Sequence, residues 1–276
     1  MNPHAISGIH ELIDRYDHFI VDQFGVLHDG QKPYPGAVET LTKLRGNAKS
    51  ILLLSNSGKR SAPNEARLIK LGFVPGSWTH FLSSGEVAWQ QLRTAGAGRK
   101  RCLLIARDGD TSAADGLDLE LVESGGDADI MLLSASEGDR FDLDHYRTLL
   151  APAAARAVPC LCTNPDKIML TAVGPRFGAG RIAELYEELG GKVTWIGKPF
   201  PEIYAAALAM LGNPDPARVI CVGDSIEHDT AGGAGVGLAT ALVTTGVLAD
   251  LDDAGRAALF NEHRAAPDLV LSAFTW

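Results

Sequence analysis

Positive charge, sulfur and aromatic rings are all scarce in this chain. Its 276 residues hold 25 Lys and Arg against 34 Asp and Glu, a formal net charge of −9. That deficit argues against nucleic acid or an anionic membrane as a partner. It does not argue against a small phosphorylated ligand, because a local cationic group dominates at short range. The four cysteines, Cys102, Cys160, Cys162 and Cys221, form no CxxC pair and are followed by no His-x-x-x-His. A zinc module is therefore not indicated, and reduced, buried thiols are the expectation. Cys160 and Cys162 alternate within an apolar run, so on a strand they share one face. No apolar run reaches the roughly 18 residues of a membrane-spanning helix. The opening MNPHAISGIHELIDRYD has no basic stretch leading into an apolar one, so a signal peptide is not indicated. A cytoplasmic setting is expected. Internal repeats and low-complexity segments are likewise missing.

What is present is ordinary for a globular protein: 46% hydrophobic and 21% charged residues. The length suits one large domain or two modest ones. Short aliphatic or β-branched runs recur at 18–21, 51–54, 102–105, 130–133, 193–196, 219–222, 241–243 and 269–271. Helical patterns lie between most of them. Apolar residues at Ile6, Ile9, Leu12, Ile13 and Tyr16 predict a helix over 6–16. A second helix is predicted over 202–211 behind Pro201, and a third over 181–189, stopped by Gly190-Gly191. This alternation predicts an α/β fold: a Rossmann-like parallel sheet with helices on both faces. Residues 1–82 and 179–276 are expected to form the core domain, with 83–178 inserted as a second α/β module.

Several strand runs end abruptly in polar residues: Val21-Asp22, Leu54-Ser55-Asn56 and Val222-Gly223-Asp224. Open α/β sheets bind ligands at the carboxyl ends of their strands, so three strands deliver polar groups to one edge. Each residue has a bland reading when taken singly. Asp22 reads as a turn or cap residue, Ser55-Asn56 as a turn, Lys198 as a loop lysine and Asp224 as a helix cap. Their joint occurrence on alternating strands is what points to chemistry. A carboxylate such as Asp22, ionised at neutral pH, is a nucleophile that needs no base. Asp22 and Asp224 offer the hard oxygens that Mg²⁺ prefers. Ser55 and Asn56 carry groups that hydrogen-bond phosphate oxygens, and Gly25 lets main chain approach a phosphate closely.

Four pieces stand in order: FIVDQFGVLHDG (19–30), LLLSNSG (52–58), GKPFPEIY (197–204) and ICVGDSIEHD (220–229). Together they resemble the four motifs of the haloacid-dehalogenase-like hydrolases, over the whole chain. The GKPxPxxY form, the Ser-Asn-Ser and the CTNPD at 162–166 resemble class IIA. The resemblance implies a Mg²⁺-dependent phosphomonoester hydrolase acting on a small phosphorylated metabolite. Asp22 would be the nucleophile that forms an aspartyl-phosphate, and Lys198 would neutralise Asp22 and the transferring group. Metal ligands would be Asp22, Asp224 and the main-chain carbonyl of Phe24, with Asp229 as the outer acid. The inserted module would be a cap whose Asn164, Pro165 and Asp166 meet the leaving group. Caps of this branch often take part in homodimer contacts.

The first motif departs from the pattern. Phosphatases of this family read Asp-x-Asp there, and this chain reads Asp22-Gln23-Phe24. The second acid protonates the leaving group, and phenylalanine has no proton to give. Three explanations compete: a replacement acid, with His28, Asp29 and Glu227 nearest in sequence; a substrate with a good leaving group; or a phosphate-binding protein with little turnover. An aromatic here also occurs in metal-independent haloacid dehalogenases, but Asp224 and Asp229 have little use in such an enzyme.

Overall fold

The computed structural model describes residues 3–94, 100–171 and 174–276. In chain order the first elements are β1 (His4–Ala5), β2 (His18–Asp22), α1 (Ala37–Gly46), β3 (Ser50–Ser55), α2 (Ser61–Lys70), β4 (His80–Ser83) and α3 (Ser84–Thr94). Next come β5 (Lys100–Ile105), β6 (Leu119–Val122), β7 (Ile130–Leu133), α4 (Leu143–Ala155), β8 (Pro159–Cys162), β9 (Ile168–Thr171), β10 (Gly174–Phe177), α5 (Ala179–Glu188) and β11 (Lys192–Trp195). The last are α6 (Pro201–Met210), β12 (Val219–Gly223), α7 (Ala231–Gly235), β13 (Ala239–Val243), α8 (Asp253–Glu262) and β14 (Leu269–Leu271).

The chain divides into two compact units, one of residues 1–55, 65–82 and 198–276, the other of 56–64 and 83–197. The first is built on a seven-stranded sheet in the order β1-β14-β13-β12-β2-β3-β4. Its central strands β13, β12, β2 and β3 pair in parallel. Phe19, Val21, Ile51, Leu53, Ile220 and Val222 from these strands join one buried cluster, while Ile20, Leu52 and Cys221 are buried as well. Burial on both faces is why the strands read as continuous apolar runs instead of alternating ones. The runs stop at Asp22, Ser55 and Gly223, which places the polar residues of three adjacent strands at one edge.

The second unit has a five-stranded sheet in the order β11-β8-β7-β5-β6 and an antiparallel hairpin of β9 with β10. Leu103, Met131, Leu133, Ile182 and Tyr186 form its core with Cys160 and Cys162. All four cysteines are buried free thiols. Among the described residues no helix is long and apolar enough to cross a membrane.

Two expectations need correction. The helix predicted over 6–16 is a single 3₁₀ turn, Ile9–Leu12. The apolar period is satisfied, since Ile9, Leu12 and Tyr16 are buried. However, the amides of Ile6 and Ile9 donate to the carbonyls of Val270 and Thr275, and Ser7 is held by the Glu11 carboxylate through both its amide and its hydroxyl. Between Ile6 and Ile9, Gly8 is extended, at φ −174° and ψ 169°, so the main chain leaves helical geometry where the first turn would form. The second correction concerns the inserted module. It runs past 178, because β11 pairs in parallel with β8 and α5 supplies Ile182 and Tyr186 to the second unit's core. The stop after α5 is as expected: Gly190 has φ 90°, and the Gly191 amide closes on the Tyr186 carbonyl.

Leu53→Ala, at a fully buried position of β3, is expected to destabilise the protein by about 2–5 kcal/mol. Leu121→Ala, at a side chain 47% exposed, is expected to change stability by less than about 0.5 kcal/mol. Urea unfolding of both variants checks the pair, and equal losses would contradict the assignment of β3 to the core.

Candidate active site

Asp22 is the last residue of β2, and the chain turns sharply behind it. The Gln23 carbonyl accepts from the amides of Leu27 and His28, at 2.8 and 3.2 Å. Gly25, at φ 84°, donates to the His28 carbonyl. A Cβ at Gly25 would overlap the Asp224 carboxylate, as would one at Gly246. Glycine is therefore needed at both positions for space, and at Gly25 and Gly246 also for its left-handed conformation. The Val247 amide donates to Asp224 Oδ2 at 2.8 Å, and the Thr245 hydroxyl donates to the Gly25 carbonyl at 2.6 Å. The segment after β13 thus ties the turn after β2 to the aspartate after β12.

Asp229 returns to the same place through a π-helical turn, Ile226–Thr230. Ser225 caps the turn by accepting from the His228 amide, and the Ser225 amide donates to Asp229 Oδ2 at 3.2 Å. Tyr204 of α6 closes the turn with a hydroxyl bond to the His228 carbonyl. Wide turns of this kind are uncommon and recur at functional sites.

Lys198, just before α6, is 3% exposed. Its Nζ lies 2.6 Å from Asp22 Oδ1 and 2.6 Å from Asp229 Oδ1. Carboxylate oxygens of Asp22, Asp224 and Asp229 all lie within 4.8 Å of one another. Burial drives the Asp22 pKa up to about 7, with the Asp229 charge adding to the rise and Lys198 opposing it. Asp224 is raised well above the carboxylate range, first by burial and then by the charges of Asp22 and Asp229. Burial acts against the Lys198 ammonium, but the two carboxylates outweigh it and raise its pKa. Two of the three carboxylates, Asp22 and Asp229, thus share the one ammonium, and Asp224 lies beside them without a salt bridge to it. The surplus negative charge and the hard oxygen donors fit a divalent cation, and the absence of side chains at Gly25 and Gly246 lets the Asp224 carboxylate sit where a Cβ would otherwise lie.

The other expected residues are placed as follows. Ser55 ends β3, where its Oγ accepts from Gln23 Nε2 at 2.5 Å. The Phe24 ring is 39% exposed and meets the His28 ring edge-on at 5.8 Å. Asn56, Asn164, Pro165 and Asp166 belong to the second unit. There Asn56 Nδ2 donates to Asp166 Oδ1 at 2.8 Å, and Asn164 Oδ1 accepts from the Asp166 amide at 3.2 Å, the local turn that Asn-Pro-Asp favours. Of the three substitute acids, Asp29 is a turn residue that accepts from the amides of Gln31 and Lys32. Those bonds hold its carboxyl below the usual range. His28 accepts at Nδ1 from the Gly30 amide. Its pKa is pushed down to about 4 by burial and then by the Arg67 charge, so no imidazolium is present at neutral pH. Glu227 is half-buried in the π-helical turn. Three contributors escaped sequence reasoning: the Gln23 amide, the Thr245 hydroxyl and the Val247 main-chain N–H. The one signal for the latter pair is the polar Thr244-Thr245-Gly246 that follows the strand run at 241–243.

Comparison with known proteins agrees with this geometry. A family model described as haloacid dehalogenase-like hydrolase matches residues 19–120, and a second, HAD-hydrolase-like, matches 195–275. Human chronophin is 28% identical over 292 residues, which span 95% of this chain and 92% of its own length. A hydrolase of the haloacid dehalogenase-like family from Brucella suis 1330 superposes with a TM-score of 0.83 at 28% identity, over 98% of this chain and all of its own. The p-nitrophenyl phosphatase of Archaeoglobus fulgidus superposes with a TM-score of 0.75 at 27% identity, over 94% and 97%. Models that match both ends of the chain, with relatives aligned across nearly all of it, leave one assignment: the chain belongs to the haloacid-dehalogenase-like hydrolases, in their class IIA branch.

Proposed function

We propose that this chain is a phosphomonoester hydrolase that uses Mg²⁺ and acts on a small phosphorylated metabolite. The observation that carries the reading is the buried Lys198 ammonium, 2.6 Å from Asp22 within a cluster of three carboxylates. Asp22, Asp224 and the Phe24 carbonyl would hold the cation, with Asp229 as the outer acid. Mg²⁺, when bound, neutralises the carboxylate cluster and the charge between Asp22 and the anionic ester.

The chain's own groups then divide the work. An Asp22 oxygen attacks phosphorus, and the ester oxygen departs with the electron pair of the broken P–O bond. Water afterwards cleaves the aspartyl-phosphate, which regenerates the carboxylate and releases phosphate. Lys198 holds Asp22 in place and counters charge on the transferring group, the kind of positioning on which phosphoryl transfer depends. Ser55 and the turn at Gly25 face the phosphate oxygens. The relative from Archaeoglobus fulgidus, named for p-nitrophenyl phosphate hydrolysis, supports this class of reaction.

Phe24 sets the character of the substrate. Its ring cannot protonate a departing oxygen, so leaving groups that depart as stable anions are favoured. Aryl phosphate turnover is expected to exceed alkyl phosphate turnover by about 10²–10⁴-fold, as scored by released phosphate. Equal rates would show that another group gives the proton. Asp22→Asn is expected to lower kcat by roughly 10⁴-fold or more, and turnover that survives this substitution removes Asp22 as nucleophile. A second reading, phosphate binding with little turnover, is also favoured by Phe24. It predicts that Mg²⁺ and phosphate bind without release of product. Full activity in a chelator would instead indicate a metal-independent dehalogenase.

The raised Asp22 pKa has a thermodynamic sign. A carboxyl that titrates near 7 in the folded protein and near 3.9 in the unfolded chain stabilises the metal-free fold below the lower value. That contribution is lost as pH rises through about 7. A cation that pairs with the ionised cluster reverses the loss. The rise in Tm on adding Mg²⁺ is therefore expected to be larger at pH 8 than at pH 5.5. Scanning fluorimetry at the two pH values checks this, and a pH-independent rise would separate Mg²⁺ binding from these carboxylates.

A further inference from the structure

Gln23 lies between the nucleophile and Phe24, and the reaction described above gives it no part. It is nevertheless buried, 7% exposed, beside a Ser55 that is 6% exposed. β2 and β3 pair in parallel with Asp22 opposite Leu54, so the next residue along each strand brings Gln23 and Ser55 together. The Gln23 main chain is fixed by the amides of Leu27 and His28, and its side chain donates from Nε2 to Ser55 Oγ at 2.5 Å.

We propose that Gln23 is a positioning residue for phosphate recognition: its amide occupies one lone pair of Ser55 Oγ and so turns the Ser55 proton toward a phosphate oxygen. The inference rests on the phosphomonoester reading. A hydroxyl has one proton and two acceptor sites. With Nε2 donating to the oxygen, the Ser55 proton is given to an acceptor other than Gln23. A carboxylate at position 23 would do the reverse, accepting that proton and adding a fourth negative charge beside Asp22, Asp224 and Asp229. An apolar residue would let the hydroxyl rotate. An amide is the neutral side chain that supplies a donor at this reach. Burial sharpens the effect, because a donor sealed from water must be matched by an acceptor.

The test is a double-mutant cycle read by calorimetric binding of inorganic phosphate in saturating Mg²⁺. Wild type, Gln23→Met, Ser55→Ala and the double variant are compared, with Gln23→Leu as the alternative if methionine is not accommodated. Gln23→Met is expected to weaken phosphate binding by about 3- to 10-fold. Ser55→Ala should weaken it at least as much, and the double variant should match Ser55→Ala alone. An effect of Gln23→Met that persists undiminished on the Ser55→Ala background overturns the proposal, since a purely structural role would act independently of the hydroxyl. So does a Gln23→Met variant that binds phosphate like wild type. If Ser55→Ala leaves binding unchanged, the inference falls while the hydrolase reading stands. If the wild-type protein neither binds phosphate nor hydrolyses an aryl phosphate, the hydrolase reading falls and takes the inference with it.

Discussion

An ammonium sealed between two carboxylates organises this molecule's chemistry. Lys198 is almost wholly buried and bonds both Asp22 and Asp229. Desolvating an unpaired lysine is costly, so the charge stays only because two anions meet it, and they stay because it meets them. The pairing joins the end of β2, the loop before α6 and the π-helical turn after β12. These segments lie far apart in sequence. Their convergence is a folding requirement.

The compensation is incomplete, which gives the site its function. One positive charge faces three carboxylates, and burial, with the neighbouring carboxylates adding to it, raises the Asp22 and Asp224 pKa values. Protons relieve this surplus at low pH, and a bound cation would relieve it at higher pH. On the proposed reading, with Asp22 as nucleophile and these acids holding the cation, attack and metal binding are coupled through shared charge.

Much of the first unit was legible because burial on both sheet faces writes uninterrupted apolar runs. The polar residues that end those runs mark the reactive edge, as at Asp22, Ser55 and Asp224. The expected helix over 6–16 failed for a non-local reason. Its apolar period is real, but the Ile6 and Ile9 amides are tied to the carbonyls of Val270 and Thr275 with Gly8 extended between them, and no local pattern encodes a tie to residues so far along the chain. The end of the inserted module was misplaced for a similar reason: the run at 193–196 reads as a strand without stating which sheet it joins. Main-chain donors such as the Val247 amide leave no trace in side-chain identity. Gln23 was hidden because a residue between two motif positions draws attention only once its partner on the neighbouring strand is known.

The walls around Asp224 also bear on how such an enzyme diversifies. Gly25 and Gly246 press on that carboxylate with nothing but main chain, so any side chain introduced at either position would displace Asp224 before it could touch a ligand. These two positions are closed to adaptive change. Selectivity in such a lineage is more readily altered at a position such as 24, whose side chain is exposed.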